Sequence, residues 1–463
     1  MKNKKETLLI LTILITICII IFNRDKLYEA KYIEPKDTLL AITINGEIST
    51  TFPTTNAYTG TVECTTGTGK VEWNGTKWVL TTSGITKGST KCNVNFIFSP
   101  TWENPGSNTL LAKIKSNNNV VSTSTYPGQH VSNNNEAILS SKADDYGTSY
   151  YFRGNVTNNY VEFANMCWRI VRVTGNAGIK LVLYNYNGLS NTNTVRSSSS
   201  PCNVTGSNLS YMRLDNNLYF EFNEEGTDNA YEGLMYGSPN SSSYAATHAN
   251  VNVSTIVTSL NTWYKNVLLK QNNFKEDYLV DTIWCNDKNV ITDTTYDPWD
   301  VGYNDNFGFG GNMNYYKTTQ RLYNRVNNMV ISTPSFVCPN DNNGGKLSKF
   351  TVDDTKYGNG ALKGYAKIGM LTADEIAFAG GVYGKDNINY YLNKNASAEF
   401  WWTISPSNYW GYARVWYVAK NGNLAYDGYV HSNNIAVRPS ITLSSKVKWS
   451  EGVGTASSPY RIS

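Results

Sequence analysis

The sequence predicts a mainly β protein with some helix, an α+β chain built from more than one domain. Three observations predict this. Short alternating apolar–polar runs are separated by Asn45-Gly46, Asn74-Gly75 and Asn421-Gly422, the sequence form of a β-hairpin. Helical periodicity is confined to a few stretches, chiefly Ile256 to Leu268 and Thr372 to Ala379, where apolar positions repeat every three to four residues. Aromatic residues make up 13% of the chain and charged residues only 16%. Disordered chains show the opposite balance, so a folded protein with polar loops is expected. At 463 residues the chain is longer than one hydrophobic core usually serves.

The N-terminus carries the strongest local signal. Lys2, Lys4 and Lys5 precede a 15-residue apolar run, Leu8 to Phe22, followed by Asn23-Arg24-Asp25-Lys26. The run is short for a membrane span and long for the apolar part of a signal peptide, and no small-x-small cleavage site follows it. Residues 1–30 are therefore expected to form a cytoplasmic tip and an uncleaved signal anchor: a membrane helix over residues 8–22, single-pass in the cell membrane, with the bulk of the chain extracellular. Cleavage soon after Phe22 is the alternative. Cys18 follows Ile15-Thr16-Ile17, not the small residues of a lipoprotein signal.

Six further cysteines, Cys64, Cys92, Cys167, Cys202, Cys285 and Cys338, agree with export. An even number outside the membrane suits an oxidising compartment, and none forms a CxxC pair. The spacing leaves their connectivity open. Pairing of chain neighbours is expected, Cys64–Cys92, Cys167–Cys202 and Cys285–Cys338, with free buried thiols the alternative for the middle pair.

Residues 31–100 read as a small immunoglobulin-like β-sandwich serving as a spacer. Ala41 to Ile44, Val71 to Trp73, Lys77 to Leu80 and Lys91 to Phe98 are its short strands. Residues 101–144 read as linker, because Ser116 to Asn119 and Ser132 to Asn135 are runs of turn residues; Leu110 to Ile114 is a possible short helix. From residue 145 a β-meander resumes through Tyr150–Gly154, Tyr160–Phe163, Cys167–Val173 and Ile179–Tyr184. A helical insertion is expected around 250–345. Its stripe of Ile256, Leu260, Trp263, Tyr264, Val267 and Leu268 reads as core, with Ser254 placed to cap. Thr372-Ala373-Asp374-Glu375 is a capping box, and Gly380-Gly381 ends that helix. Strands Ala413 to Lys420 and Asn423 to Val430 then flank Asn421-Gly422.

The chemistry-bearing residues exclude more than they assert. A net charge of +4, with no basic cluster beyond the N-terminus, argues against nucleic acid as a partner. His130, His248 and His431 are isolated, and neither HExxH nor GxSxG occurs. Gly67-Thr68-Gly69-Lys70 approaches a phosphate loop, but Cys64 stands where its first glycine belongs and Val71 follows the lysine. Asp353-Asp354 and Asn304-Asp305-Asn306 offer hard oxygen ligands but read as solvated loops. No metal, cofactor or catalysis is therefore expected. Residues 401–434 instead mix Trp401, Tyr409, Trp410, Tyr412, Trp416, Tyr417, Tyr426 and Tyr429 with Ser, Asn and Gly. Aromatic groups gain contact area at small entropic cost, and short polar groups adapt to a partner. Strand alternation turns half of these inward, so Trp402 and Trp416 are expected in the core. Tyr409, Tyr412, Tyr426 and His431 are expected at the surface.

Three stretches together carry a likeness. They are Tyr151 to Val156 with Trp168 to Arg172; Gly369 to Glu375 with Ala379-Gly380-Gly381; and Trp402 to Pro406, Val415 to Val418 and Val437 to Ile441, closing with Gly454 to Tyr460. The chain resembles a family of surface proteins of low-GC, gut-type Firmicutes. Their C-terminal domain looks like a C-type-lectin-like fold of the formylglycine-generating-enzyme subtype. The likeness covers residues 145–463 and implies a C-type-lectin-like head. It is also similar to the variable proteins of diversity-generating retroelements, which place mutable codons just before the C-terminus. By that likeness Asn408, Tyr409, Tyr412, Arg414, Asn423, Tyr426, Asp427, His431 and Asn433 form the candidate ligand-binding set, with Ala425 and Asn434 in the same region. Trp402, Trp416, Gly422, Arg438 and Pro439 are its framework. An AT-rich genome would enrich Asn and Tyr equally well.

Formylglycine-generating enzymes need a cysteine pair near the C-terminus, and none follows Cys338, so that activity is not implied. Calcium-lectin motifs are also unmatched: Glu103-Asn104-Pro105 has the wrong order, and Cys285 interrupts Trp284-Asn286-Asp287. Arg438 is expected to buttress the core. The expected function is that of an adhesin- or receptor-like protein whose partner is an extracellular protein or glycan. A structural coat protein and a cell-envelope hydrolase are the alternatives.

Overall fold

Asn45 and Gly46 take left-handed backbone angles, φ 52° and 87°, and so turn strand β1 (Thr38–Ile44) into β2 (Glu47–Ser49). A computed structural model describes residues 38–86, 88–122, 128–186, 200–203, 220–300, 304–326, 329–340, 348–393 and 400–463. The expected anchor, Leu8 to Phe22, lies outside the described residues. Among those described, no helix is long and apolar enough to cross a membrane. The chain is mainly β and divides into two compact units, residues 1–107 and 108–463.

In the first unit β3 (Tyr58–Cys64), β4 (Thr68–Trp73), β5 (Trp78–Ser83) and β6 (Thr90–Phe98) follow. The sheet order is β2-β1-β6-β3, with β1 and β6 parallel, and β4–β5 form a separate hairpin. Ile42, Val71, Trp78, Leu80, Val94 and Phe96 pack between these layers. The layers meet closely at Gly60 and Gly69, where an added Cβ would strike Val71 and Val62. Cys64 lies directly opposite Cys92 in the β3–β6 register, and the two are bonded. An antibody-type bridge joins two sheets, whereas this one joins neighbouring strands of one sheet.

The second unit begins inside the stretch expected as linker. Helix α1 (Leu110–Ser116) is capped by Thr109, whose hydroxyl accepts from the Ala112 amide, and buries Leu110, Leu111 and Ile114. Strand β7 (Ala137–Asp144) pairs along its whole length with β8 (Gly147–Gly154). The Asn runs are local turns and contacts within a packed domain: Asn117 donates to the Tyr460 hydroxyl at 3.0 Å, and Asn133 accepts from the Asn135 amide at 2.8 Å.

Strands β9 (Tyr160–Phe163), β10 (Met166–Val173) and β11 (Ile179–Asn185) are buried at every position, so both faces of these strands are covered and they do not alternate between core and water. Helix α2 (Thr255–Trp263) continues as a π-helical turn through Leu268 and buries the predicted stripe. Ser254 sits at the cap position, but its hydroxyl donates to the Leu234 carbonyl at 2.7 Å and does not cap. Short elements follow: β12 (Asn314–Tyr315), α3 (Lys317–Leu322) and α4 (Ala373–Ala379). Strands β13 (Trp401–Tyr409), β14 (Ala413–Val418), β15 (Leu424–Tyr429), β16 (Ser440–Leu443), β17 (Trp449–Glu451) and β18 (Tyr460–Ile462) complete the unit. One sheet runs β16-β11-β10-β9-β18-β17, with β8 joining at β10 and β7 beyond it; a second runs β12-β13-β14-β15.

Helix α4 carries the predicted capping box, and its Glu375 does more than cap. Its carboxylate accepts from Lys180 at 2.7 and 2.8 Å and from Arg172 at 2.9 Å, and Arg172 also reaches Asp144 at 2.6 Å. Burial alone would raise the Glu375 carboxyl, but the two cations outweigh it and hold it below the usual range. Burial brings the Lys180 amine down to about 8. This ionic cluster fastens α4 to the large sheet. Cys167–Cys202 and Cys285–Cys338 are also bonded. All three bridges join chain neighbours as expected, and they fit an extracellular, oxidising location.

Candidate functional site

The site is built on the β12-β13-β14-β15 sheet. Its register aligns Tyr315 with Asn408, Asn408 with Arg414, and Arg414 with Tyr429. Residues opposite one another in a ladder share a face, so these four form one row across the sheet. Arg414 is the centre of that row. Its guanidinium lies 4.7 Å from the Tyr429 ring and 5.3 Å from the Trp410 ring, and it donates to the Tyr429 hydroxyl and the Trp410 carbonyl, each at 3.3 Å. Its own amide donates to Glu232 at 3.1 Å. Burial pushes the Glu232 carboxyl well above the carboxylate range, with the Arg414 amide and charge opposing the shift.

The β13–β14 turn, with Gly411 at φ 72°, lifts Trp410 and Tyr412 into solvent. Trp410, Tyr412 and Tyr429 are 38%, 43% and 38% exposed, high for such rings. His431, half-buried, packs 5.1 Å from Tyr412 and 5.8 Å from Tyr429. Arg414 is thus a buried strut beneath Trp410 and Tyr429, and Tyr412 and His431 pack against Tyr429.

A second aromatic group adjoins the row. A register shift between Val415 and Tyr417 offsets β15. Tyr426, half-buried there, stacks on Trp299. Tyr323 lies parallel to Trp299 at 5.7 Å. Tyr383 meets Tyr323 edge-on at 4.4 Å, Tyr426 at 5.5 Å and Trp416 at 6.0 Å. Burial raises the Tyr383 hydroxyl to about 12, so it stays protonated and able to donate at neutral pH. Exposed Asp427 accepts from Tyr417 at 3.0 Å.

The predicted set therefore divides. Tyr412, Arg414 and His431 come together; Tyr426 and Asp427 lie in the adjoining group; Asn433 is exposed. Asn408 and Tyr409 are 1% and 3% exposed and correct the expectation of a wholly surface set. Strand β13 is interior, flanked by β12 and β14, and Tyr409 donates to the Thr227 carbonyl at 2.8 Å. Asn423 fastens a loop by accepting from the Gly384 amide at 2.7 Å. Trp402 and Trp416 are fully buried, as expected. Arg438 buttresses the core, donating to the Leu392 carbonyl at 2.7 Å and the Leu183 carbonyl at 3.2 Å, over the Trp401 ring.

Trp299, Tyr323 and Tyr383 escaped sequence reasoning. Their partners are distant in the chain, and no local pattern marks them. Among the described residues no group of three or more His, Cys, Asp or Glu side chains is arranged to hold a metal. The acid pair Asp353-Asp354 is tied to Asp281, which accepts from both amides at 2.6 and 2.8 Å. Comparison with family models, curated proteins and solved structures returned no match.

Proposed function

We propose that this chain is a membrane-anchored extracellular binding protein, adhesin- or receptor-like, that presents the Arg414 face to a protein or glycan outside the cell. Recognition is its function in this reading, and no chemical step is assigned to it. The observation that carries the reading is the exposure of Trp410, Tyr412 and Tyr429 around a buried cation that fixes two of them. Rigid aromatic groups with polar ends are favoured at recognition surfaces because they lose little freedom on binding. The C-type-lectin-like reading of residues 145–463, the immunoglobulin-like reading of residues 31–100 and the anchor at residues 8–22 belong to this proposal. The three disulfides support the outward orientation.

The test is direct. The full chain, in detergent, is applied to a glycan array and to an array of purified secreted proteins. Reproducible capture that disappears in the Tyr412→Ala, Tyr429→Ala double variant supports the reading. Absence of capture, or capture that the double variant retains, contradicts it.

A further inference from the structure

Tyr323 and Tyr383 have a second role beyond the aromatic group. They line an open cleft of about 600 Å³ together with Gln129, His130, Ser332 and Lys385. That volume falls inside the span of small-molecule sites, roughly 300–1,000 Å³.

The walls are tied down from behind. Arg153, itself buried, donates to the Gln129 carbonyl at 2.7 Å, and Val131 donates through its amide to the Gly380 carbonyl at 3.1 Å. Gly128 has φ 77°, and a Cβ there would strike the Ser332 carbonyl; the two sides of the cleft touch at that point. On the opposite wall the Leu424 amide donates to the Val382 carbonyl at 3.2 Å, and the Asn423 side chain holds the Gly384 amide. The Tyr323 carbonyl accepts from the Tyr296 hydroxyl at 2.8 Å. A site whose walls are fixed before binding loses little freedom when it is filled.

The lining specifies chemistry. Two half-buried tyrosine rings offer an apolar face. Gln129 and Ser132 offer neutral donors and acceptors. Lys385 and His130 are exposed and basic, and no lining residue carries a carboxyl. Asp427 and Asp386 are outside the lining, and each accepts from a neighbour: Tyr417 at 3.0 Å and Asn421 at 2.5 Å. A bare inorganic anion would leave the rings unused, and a neutral sugar would leave the lysine unused. We propose that this cleft binds an acidic saccharide, with one sugar ring packed on the Tyr323–Tyr383 wall and a carboxylate paired with Lys385. The proposal goes beyond the Arg414 face and does not depend on it.

Calorimetry on the full chain in detergent tests it with trigalacturonate, its methyl ester and a sialyl-trisaccharide. At least one acidic probe is expected to bind, with the methyl ester at least tenfold weaker than trigalacturonate if that is the binder. Lys385→Gln should weaken the acidic probe about tenfold, and Tyr383→Ala should abolish binding while Tyr383→Phe retains it. The Tyr412→Ala, Tyr429→Ala variant should bind as wild type, which separates this site from the Arg414 face. Failure of both acidic probes, equal affinity for ester and acid, full affinity in Lys385→Gln, or displacement by equimolar inorganic phosphate overturns the proposal. Circular dichroism of Tyr383→Ala must match wild type for its loss to count; if it does not, Lys385→Gln decides alone.

Discussion

The Tyr426 ring lies flat on the Trp299 indole, with centroids 3.7 Å apart and planes within 14°. One residue comes from the C-terminal hairpin and the other from a loop far earlier in the chain. This contact closes the aromatic group that adjoins the candidate site and joins it to Tyr323 and Tyr383.

The stack is expected to show coupling. Aromatic pairs contribute about 0.5–1.5 kcal/mol beyond their buried area. A double-mutant cycle of Trp299→Ala and Tyr426→Ala, measured by urea denaturation, should therefore return a coupling energy of that size. Additive losses would mean that the two rings do not meet in solution.

Tyr409 is a structural residue by its geometry. Its hydroxyl donates to the Thr227 carbonyl in a nearly closed site. Tyr409→Phe should cost about 0.5–1.5 kcal/mol, the net worth of one hydrogen bond, and should leave ligand capture unchanged. Reduced capture at unchanged stability would return Tyr409 to the binding set.

Glu375 is expected to be among the most sensitive positions. Lys180 has no carboxylate partner other than Glu375 among the described residues, so Glu375→Gln leaves a buried cation unpaired, costing about 3–5 kcal/mol. The pH dependence follows from its depressed carboxyl. A carboxylate held lower in the folded than in the unfolded state stabilises fully above its unfolded value and loses that contribution as pH falls through the folded one. The gap in stability between wild type and Glu375→Gln should therefore narrow as pH falls from about 5 toward 3. A gap that widens on acidification would contradict the assignment.

The Cys285–Cys338 bridge closes a loop with a sequence separation of 53. Replacing both residues with Ser should lower stability by about 2–4 kcal/mol, read as a fall in melting temperature. Non-reducing peptide mapping should recover the three neighbour pairs; any other connectivity would contradict the fold.

Much of the fold was legible because its determinants are local. Asn-Gly pairs marked turns, Thr372 and Glu375 marked a helix start, and the cysteines paired with chain neighbours. The stretch 101–144 was misread because Asn-rich turns within a packed domain have the composition of a linker; Leu110, Leu111 and Ile114 were the signal that it is packed. The grouping of Tyr412, Arg414 and His431 in the candidate site was legible for the same reason, since they lie near one hairpin. Tyr409 was misplaced because alternation gives the face of a residue but not whether the strand is interior. Trp299, Tyr323 and Tyr383 reach the site only through long-range packing, which no spacing records.

The central claim is that Trp410 and Tyr429, held over Arg414, form the contact surface together with the adjoining Tyr412. The decisive measurement is the equilibrium affinity of the array-selected ligand for wild type and for the Tyr412→Ala, Tyr429→Ala variant, alongside their melting temperatures. The account predicts at least a hundredfold weaker binding, about 2.7 kcal/mol, with a cooperative melting transition retained and lowered only by the loss of the Arg414–Tyr429 contact. Equal affinity at equal stability would place the contact surface elsewhere.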